Sequence, residues 1–455
     1  MVDELSLPAI PSELLDGASV ATVDERVAHR PWGNEGQAFV SVITLTLSDG
    51  GTRRLVWKRT RVPKAEPSSG GTAHQDKRLA AIEADKRLKS FEAEAAFFGH
   101  CAPRLTAAGA TVPRAWSVAH SQQRREFSLL MSDLVSDGFP RQPEALGFSE
   151  ATSALRWLAT LHAEFWDDPG LPSAGLWRHG SYWDLGKRGH ELDERRMSKH
   201  WRDSASHLRR AAGRARDTLV PRLVRAALPL DAALRPPDGE SPANGGQGEQ
   251  RSRRAPKRRA AGAVEADEPT LAAIGVRLRM HHTIVHGDFK GENLFFTPMA
   301  TDASAACSCA ACDFQWAGPG VGALDVLYLL TTSLDAGLLR EREGTLLREY
   351  HSALCERLEQ KEQKEAPSWR QFELEYAVAL LDFMRFVLAD GVLVDGDEWL
   401  VERTAALLER LDGGKILPGS QYAEALNACA DTAGPCALVG LVVGADELFQ
   451  SSYPV

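Results

Sequence analysis

Five polar residues crowd into HGDFKGENLFF at 286–296, and the stretch then runs straight into apolar residues. That placement fixes charged side chains at the edge of a core rather than out in solvent. Asp288 is a carboxylate able to orient an attacking hydroxyl and accept its proton. Asn293, five residues on, carries an amide oxygen, a hard ligand of the kind Mg²⁺ takes. Downstream, ACDFQ at 311–315 ends a second apolar run with another carboxylate, Asp313. A base, hard oxygen ligands and a phosphate-holding lysine are what phosphoryl transfer asks of a protein. The runs around 284–285 with 294–296, and around 310–313, are expected to pair as a hairpin that brings Asp288, Asn293 and Asp313 to one end.

The rest of the chain must position that end. Residues 36–60 alternate Ser41, Ile43, Leu45 and Leu47 against Val42, Thr44 and Thr46. They turn at Asp49-Gly50-Gly51 and return over Arg54–Arg59 as a second strand. A polar loop at 62–77, a helix near 78–102 and strands at Pro113–Val118 and Phe127–Met131 follow. Beyond Asp133 the pattern is helical. Residues 151–166 put Leu155, Leu158, Ala159, His162 and Phe165 on one face. Further helical stretches lie near 191–232, 322–361, 368–390 and 397–411. Residues 235–269, rich in Gly, Pro and charge, are expected to be a disordered insertion with a basic run at 251–259. The chain thus divides into a sheet-plus-helix unit, 1–131, and a larger helical unit, 132–455. The joint lies near Met131–Ser136, and a ligand cleft is expected between the units.

Composition excludes several classes. The chain has 455 residues, 44% hydrophobic and 25% charged, with net charge −9. It is globular, and nothing overall favours nucleic acid or an anionic membrane. The first thirty residues carry early acids and no long apolar run, so no secretion signal is expected. The run CALVGLVVGA at 436–445 is too short to span a bilayer. Seven cysteines fit a reducing, cytoplasmic compartment better than a disulfide framework. Cys307, Cys309 and Cys312 lack a fourth ligand and zinc-like spacing.

The pattern H-x-D-x-x-x-x-N followed by D-F-x resembles the signature of the kinase-like fold. The HGD spelling, LHAEFW upstream and DFQWAGPGVGALDVLYLL downstream resemble its small-molecule branch. That branch includes aminoglycoside phosphotransferases, choline kinases and, nearest in wording, ecdysteroid kinase-like proteins. The resemblance is strongest over 155–166 and 284–330 and looser near the start. It implies an α+β, bilobal protein kinase-like fold: a small antiparallel-sheet lobe with one helix, and a larger, mostly helical lobe. It implies an ATP-dependent phosphotransferase, with ATP and Mg²⁺ as cofactors and a hydroxyl-bearing small molecule as acceptor. Asn293 and Asp313 become the metal ligands. Lys58, in RLVWKR, takes the place of the phosphate-contacting lysine, and its partner should be an acid on the next helix. In SFEAEAAFF, Glu94 shares a face with Phe91, Ala95 and Phe98, whereas Glu92 does not; Glu94 is therefore the expected partner. Gly33 and Gly36 sit where a phosphate loop belongs. Met131 and Asp133 bracket a joint with backbone groups facing adenine.

The bland readings stand beside these. His162 and His286 read as core and bracing residues, Asp325 as a helix cap or a brace for the catalytic loop, and 376–386 as core. Lys290 follows Asp288 as in protein serine/threonine kinases, where such a lysine touches the transferred phosphate. A protein kinase is thus the alternative, with a non-catalytic nucleotide-binding protein as a third reading. Two features oppose a peptide substrate: extra helices intervene between 166 and 286, and only Phe314–Leu324 separate Asp313 from Asp325, too few for an activation segment. The acceptor pocket is expected from 167–235 and 368–410, with Asp184, Glu191, Asp193 and Glu194 and the aromatics Trp177, Tyr182 and Trp183.

Overall fold

The computed structural model describes residues 7–29, 38–62, 73–171, 174–188, 192–235, 276, 278, 280–299, 307–361, 364–430, 436 and 438–440. Gly33, Gly36, Glu191 and nearly all of the expected insertion lie outside them.

Five antiparallel strands open the chain: β1 (Val20–His29), β2 (Ala38–Leu47), β3 (Thr52–Arg61), β4 (Ala115–Ser121) and β5 (Glu126–Ser132), in spatial order β1-β2-β3-β5-β4. The two-residue period of a strand sorts their side chains. Ile43, Leu45, Leu47, Leu55, Trp57 and Leu130 face one way, covered by Leu7, Ile10, Leu14 and Leu15 of the preceding segment. Phe127, Leu129 and Met131 join the larger core on the other side. Lys58, adjacent to Trp57, therefore turns toward that larger core. The opening strand β1, absent from the sequence expectation, is exposed along most of its length and its apolar residues do not alternate, which is why periodicity missed it.

The first helix, α1 (Ala73–Ala96), continues through a π-helical turn, Phe97–Cys101, into α2 (Ala102–Ala107). The wide turn carries Phe97 flat onto Phe314, with centroids 3.7 Å apart and planes 8° from parallel. That stack ties the sheet unit to the helical unit.

In the larger unit, α3 (Phe148–Glu164) is buried on nearly every side. The expected stretch 191–232 is three helices, α5 (Glu194–Asp203), α6 (Ser206–Ala211) and α7 (Leu219–Leu234), after the single turn α4 (Leu185–Arg188). The expected stretch 322–361 is two helices, α8 (Ala323–Ser333) and α9 (Ala336–Glu359). Leu334 is extended between them, and the Asp335 side chain caps α9. Helix α10 (Trp369–Asp390) is buried along most of its length, and α11 (Glu398–Asp412) and α12 (Gly419–Ala430) close the fold.

Two short ribbons replace the expected single hairpin. Strand β7 (Leu294–Phe296) pairs with β8 (Cys309–Ala311), as anticipated. Residues 284–285 belong instead to β6 (Thr283–Val285), which pairs with β9 (Gly318–Gly320). The loop 286–293 doubles back between the ribbons, and the chain reverses again just after Asp313, which adopts φ +68°. Among the described residues, no helix is long and apolar enough to cross a membrane.

Candidate active site

The loop 286–293 is held through its backbone. Asp325, on the first turn of α8, accepts hydrogen bonds from the backbone N–H of His286 at 2.6 Å and of Gly287 at 2.9 Å. Gly322 occupies the helix cap, so Asp325 is a brace and not a cap. His162 lies beneath it, its Nε2 3.3 Å from the Asp325 carboxylate and its Nδ1 2.7 Å from the Tyr350 hydroxyl. A carboxylate only accepts, so His162 donates through Nε2 and accepts the Tyr350 hydroxyl's hydrogen bond on Nδ1. His286 works the same way. Its Nε2 lies 3.0 Å from the Cys312 carbonyl, and its Nδ1 accepts from Asp288 N at 3.3 Å. Burial holds the His286 imidazole below its ordinary pKa, hence neutral.

Gly287 is the one residue type this bend admits. Its φ is +81°, and a Cβ there would come within 2.4 Å of the Trp316 carbonyl oxygen. The loop then presents Asp288, whose side chain is 15% exposed. Burial pushes its carboxyl up to about 7, against the pull of Lys290. Asn293 donates through Nδ2 to the Asp288 carbonyl at 2.8 Å and to its carboxylate at 3.3 Å. That commits the amide nitrogen and leaves the amide oxygen for another partner. Lys290 Nζ stands 3.8 Å from Asp288 and 2.9 Å from Glu292.

Lys58 crosses the cleft. Its Nζ lies 2.9 Å from Glu94 Oε2 and 2.9 Å from Asp313 Oδ1. Glu94 is 1% exposed, while Glu92 is only half-buried. Burial works against the Lys58 ammonium, but Asp313 and then Glu94 outweigh it and hold its pKa above the ordinary lysine value. Burial likewise opposes charge on Asp313, and Lys58 more than offsets it, so that carboxylate stays ionised. Asp133, at the joint, is buried. It pairs with Arg54 at 3.2 Å and accepts from Val135 N and Ser136 Oγ. Met131 closes β5, paired with Val56 and Ala115.

The structure thus gathers Lys58, Glu94, Asp288, Lys290, Asn293 and Asp313 around one cleft. Mg²⁺ fits this donor set, since an ionised carboxylate and an amide oxygen are hard oxygen ligands of the kind it takes. Among the described residues, no group of three or more His, Cys, Asp or Glu side chains is arranged to hold a metal ion.

A strap that sequence reasoning missed lies behind the loop. Tyr182 N donates to the Gly287 carbonyl at 2.7 Å, Gly180 N to Pro319 O at 2.8 Å, and Trp177 Nε1 to Gln315 O at 2.7 Å. Lys187 ties the strap by donating to the His179 and Ser181 carbonyls. Its only sequence signal was a cluster of aromatics. Several expected acceptor-pocket residues are committed here. Trp183 is fully buried, Asp184 is bound by Arg235 and Lys187, and Asp193 caps α5.

The five-stranded antiparallel sheet, the helix that follows its third strand and the mostly helical larger unit are the architecture expected of a protein kinase-like fold. Within it, residues 268–362 match a model of the Ecdysteroid kinase-like family; the matched stretch contains Asp288, Asn293, Asp313 and Asp325. Among solved structures, the chain is similar to a microcompartment-associated aminopropanol kinase, with 15% identity, 89% of this chain and 96% of that chain covered, and a TM-score of 0.39. It is also similar to wild-type aminoglycoside 2'-phosphotransferase-IIIa in its GDP complex, at 13% identity, 85% and 93% coverage and a TM-score of 0.36. Plasmodium vivax ethanolamine kinase follows at 11% identity, 84% and 81% coverage and a TM-score of 0.34. A comparison with curated proteins finds no match.

Proposed function

We propose that the chain is an ATP-dependent phosphotransferase acting on a hydroxyl group of a small molecule. The observation that carries this reading is the convergence of Lys58, braced by Glu94, with Asp313, Asn293 and Asp288 at one cleft. Lys58 holds the nucleotide phosphates, and Asn293 and Asp313 hold the metal. Mg²⁺, when bound, neutralises charge on the phosphates. Asp288 orients the acceptor hydroxyl and takes its proton as the oxygen bonds to the γ-phosphorus and the bond to the ADP oxygen breaks. Lys290 stabilises charge on the transferred group. Met131 and Asp133 bracket the adenine-facing joint, with the nucleotide lobe at 1–131 and the acceptor lobe at 132–455. The short path from Asp313 to α8 supports a small acceptor over a peptide. That none of the seven cysteines is in a disulfide supports a cytoplasmic setting.

The test is a screen of hydroxyl-bearing metabolites and antibiotics for acceptor-dependent ATP consumption, run with the wild type and Asp288→Ala. Turnover should disappear in the variant while nucleotide binding persists; undiminished transfer by Asp288→Ala would end the assignment. Asp313→Ala should instead weaken Mg-ATP binding itself, by about tenfold or more, read by calorimetry. Phosphorylation of casein-like proteins and of no small acceptor would favour a protein kinase.

A further inference from the structure

Strand β1 is an outer edge of the sheet. Among the described residues it pairs with β2 alone, and residues 21–28 are all exposed. Its larger apolar side chains Val23 and Val27 share one face and are 49% and 41% exposed. An edge of this length offers a row of unpaired backbone N–H and C=O groups to another strand. The register of β1 on β2 shifts between Val20 and Thr22 and again between Val27 and His29, so Thr22–Val27 is the regular segment. Such irregularities discourage pairing at the two ends and leave the middle open to it.

The middle reads Val-Asp-Glu-Arg-Val over 23–27, an order that nearly mirrors itself in chemistry. When two copies of one edge pair antiparallel about a two-fold axis, the faces of the joined sheet match only if the axis passes through a residue and its own copy, because side chains alternate with period two. Three such axes fall in the middle of the segment. About Asp24, that acid meets its own copy and Val23 meets Glu25. About Arg26, that base meets its own copy and Val27 meets Glu25. About Glu25, Val23 meets Val27 twice and Asp24 meets Arg26 twice. Only the last sets apolar against apolar and acid against base. It also sets Glu25 opposite its own copy, and that charge is offset within each chain. Arg59 Nη2 lies 2.7 Å from Glu25 Oε1, and Ser41 Oγ donates to the same oxygen at 2.7 Å. Asp24 and Arg26 make no hydrogen bond or ion pair among the described residues, so both are open to a partner.

We propose that β1 is a self-association surface: two copies of the chain pair their β1 strands antiparallel about Glu25 and join their sheets into one. The contact is isologous, the same patch on both copies. It is independent of the functional reading. One strand edge is small beside the ~1,600 Å² of a standard stable interface, so the dimer should form reversibly over about 1–100 µM chain. Sedimentation velocity of the full chain across that range should show a monomer–dimer equilibrium. Asp24→Arg alone sets base against base, and Arg26→Asp alone sets acid against acid. Each should weaken self-association by at least about tenfold. An equimolar mixture of these two variants sets both bases of one chain against both acids of the other and should associate at least as tightly as the wild type. The double variant Asp24→Arg/Arg26→Asp exchanges the charges and should dimerise like the wild type, which keeps the test decisive if one single variant folds poorly. A wild type that stays monomeric to about 100 µM overturns the proposal and leaves the edge to some other chain. A dimer that survives both single substitutions has its interface elsewhere and overturns it too. So does a loss that neither the mixture nor the double variant restores.

Discussion

Asp288 is buried at a cost to the fold. An unfolded aspartate titrates near about 3.9, whereas burial pushes this one up to about 7. The folded chain therefore favours the neutral carboxyl, and ionising it costs stability. Below about pH 4 the cost is absent, because both states are protonated. Between about pH 4 and 7 it grows as pH rises, and above the folded value it is fully present. Asp288→Asn removes the ionisable group. The variant should match the wild type near pH 4 and exceed it by about 2 kcal/mol at pH 8, a figure kept low because solvent reaches the side chain. Thermal midpoints across pH, in nucleotide-free buffer with chelator, check this. A difference that does not change with pH would mean that burial does not strain the carboxylate. Lys58 shows the opposite arrangement: two carboxylates at 2.9 Å hold a buried ammonium charged. Breaking such a pair by removing one member leaves an uncompensated buried charge.

The elements around the site are short, and their conformations are demanding. The turn from β6 into the catalytic loop depends on Gly287 at φ +81°, pressed against the Trp316 carbonyl and the Ser181 amide. Gly287→Ala adds a methyl where there is no space, in a backbone region that alanine disfavours. It should destabilise by about 2 kcal/mol or more by denaturant titration, and lower turnover by moving Asp288 away from Asn293. A stability equal to the wild type would show that the strap Gly180–Tyr182 yields freely. At this scale the sequence was legible wherever periodicity was strong. The phase of Phe91, Glu94, Ala95 and Phe98 picked out the glutamate that the structure buries beside Lys58. It was illegible where partners come from far away. The pairing of 283–285 with 318–320 depends on two reversals at Gly287 and Asp313, which no local pattern announces. The strap at 177–183 is held in part by backbone hydrogen bonds, from Gly180 and Tyr182, and these leave no mark on side-chain type.

Across the whole molecule, the sheet unit and the helical unit share one apolar core, and the Lys58–Asp313 pair and the Phe97–Phe314 stack lie in the contact between them. The helical unit is closed far from the cleft by a polar knot. Arg222 of α7 binds Asp412, at the end of α11, through two hydrogen bonds, Nε to Oδ2 at 2.8 Å and Nη2 to Oδ1 at 2.5 Å. Tyr422 of α12 donates its hydroxyl to the same carboxylate at 2.7 Å. Arg222 is 1% exposed; Asp412 is its hydrogen-bonded carboxylate, and Glu409 stands farther off at 3.7 Å. Sequence reading assigned no role to 413–455, because the helix at Gly419–Ala430 is fixed by that distant arginine and by packing on α7 rather than by a strong apolar stripe of its own. Asp412→Ala should therefore cost about 3–5 kcal/mol, the penalty for stranding a buried charge. It should also expose α12 to proteolysis. Because the knot touches no cleft residue, nucleotide affinity of the variant measured below its unfolding midpoint should stay within about twofold of the wild type. The pairing of Arg222→Leu with Asp412→Leu supplies the contrast. Replacing both charges by apolar groups should recover much of the lost stability, since the cost of the single variant lies in the unpaired arginine. If the double variant unfolds as easily as Asp412→Ala, the carboxylate acts mainly by capping α11 and holding Tyr422, and the arginine's burial is incidental.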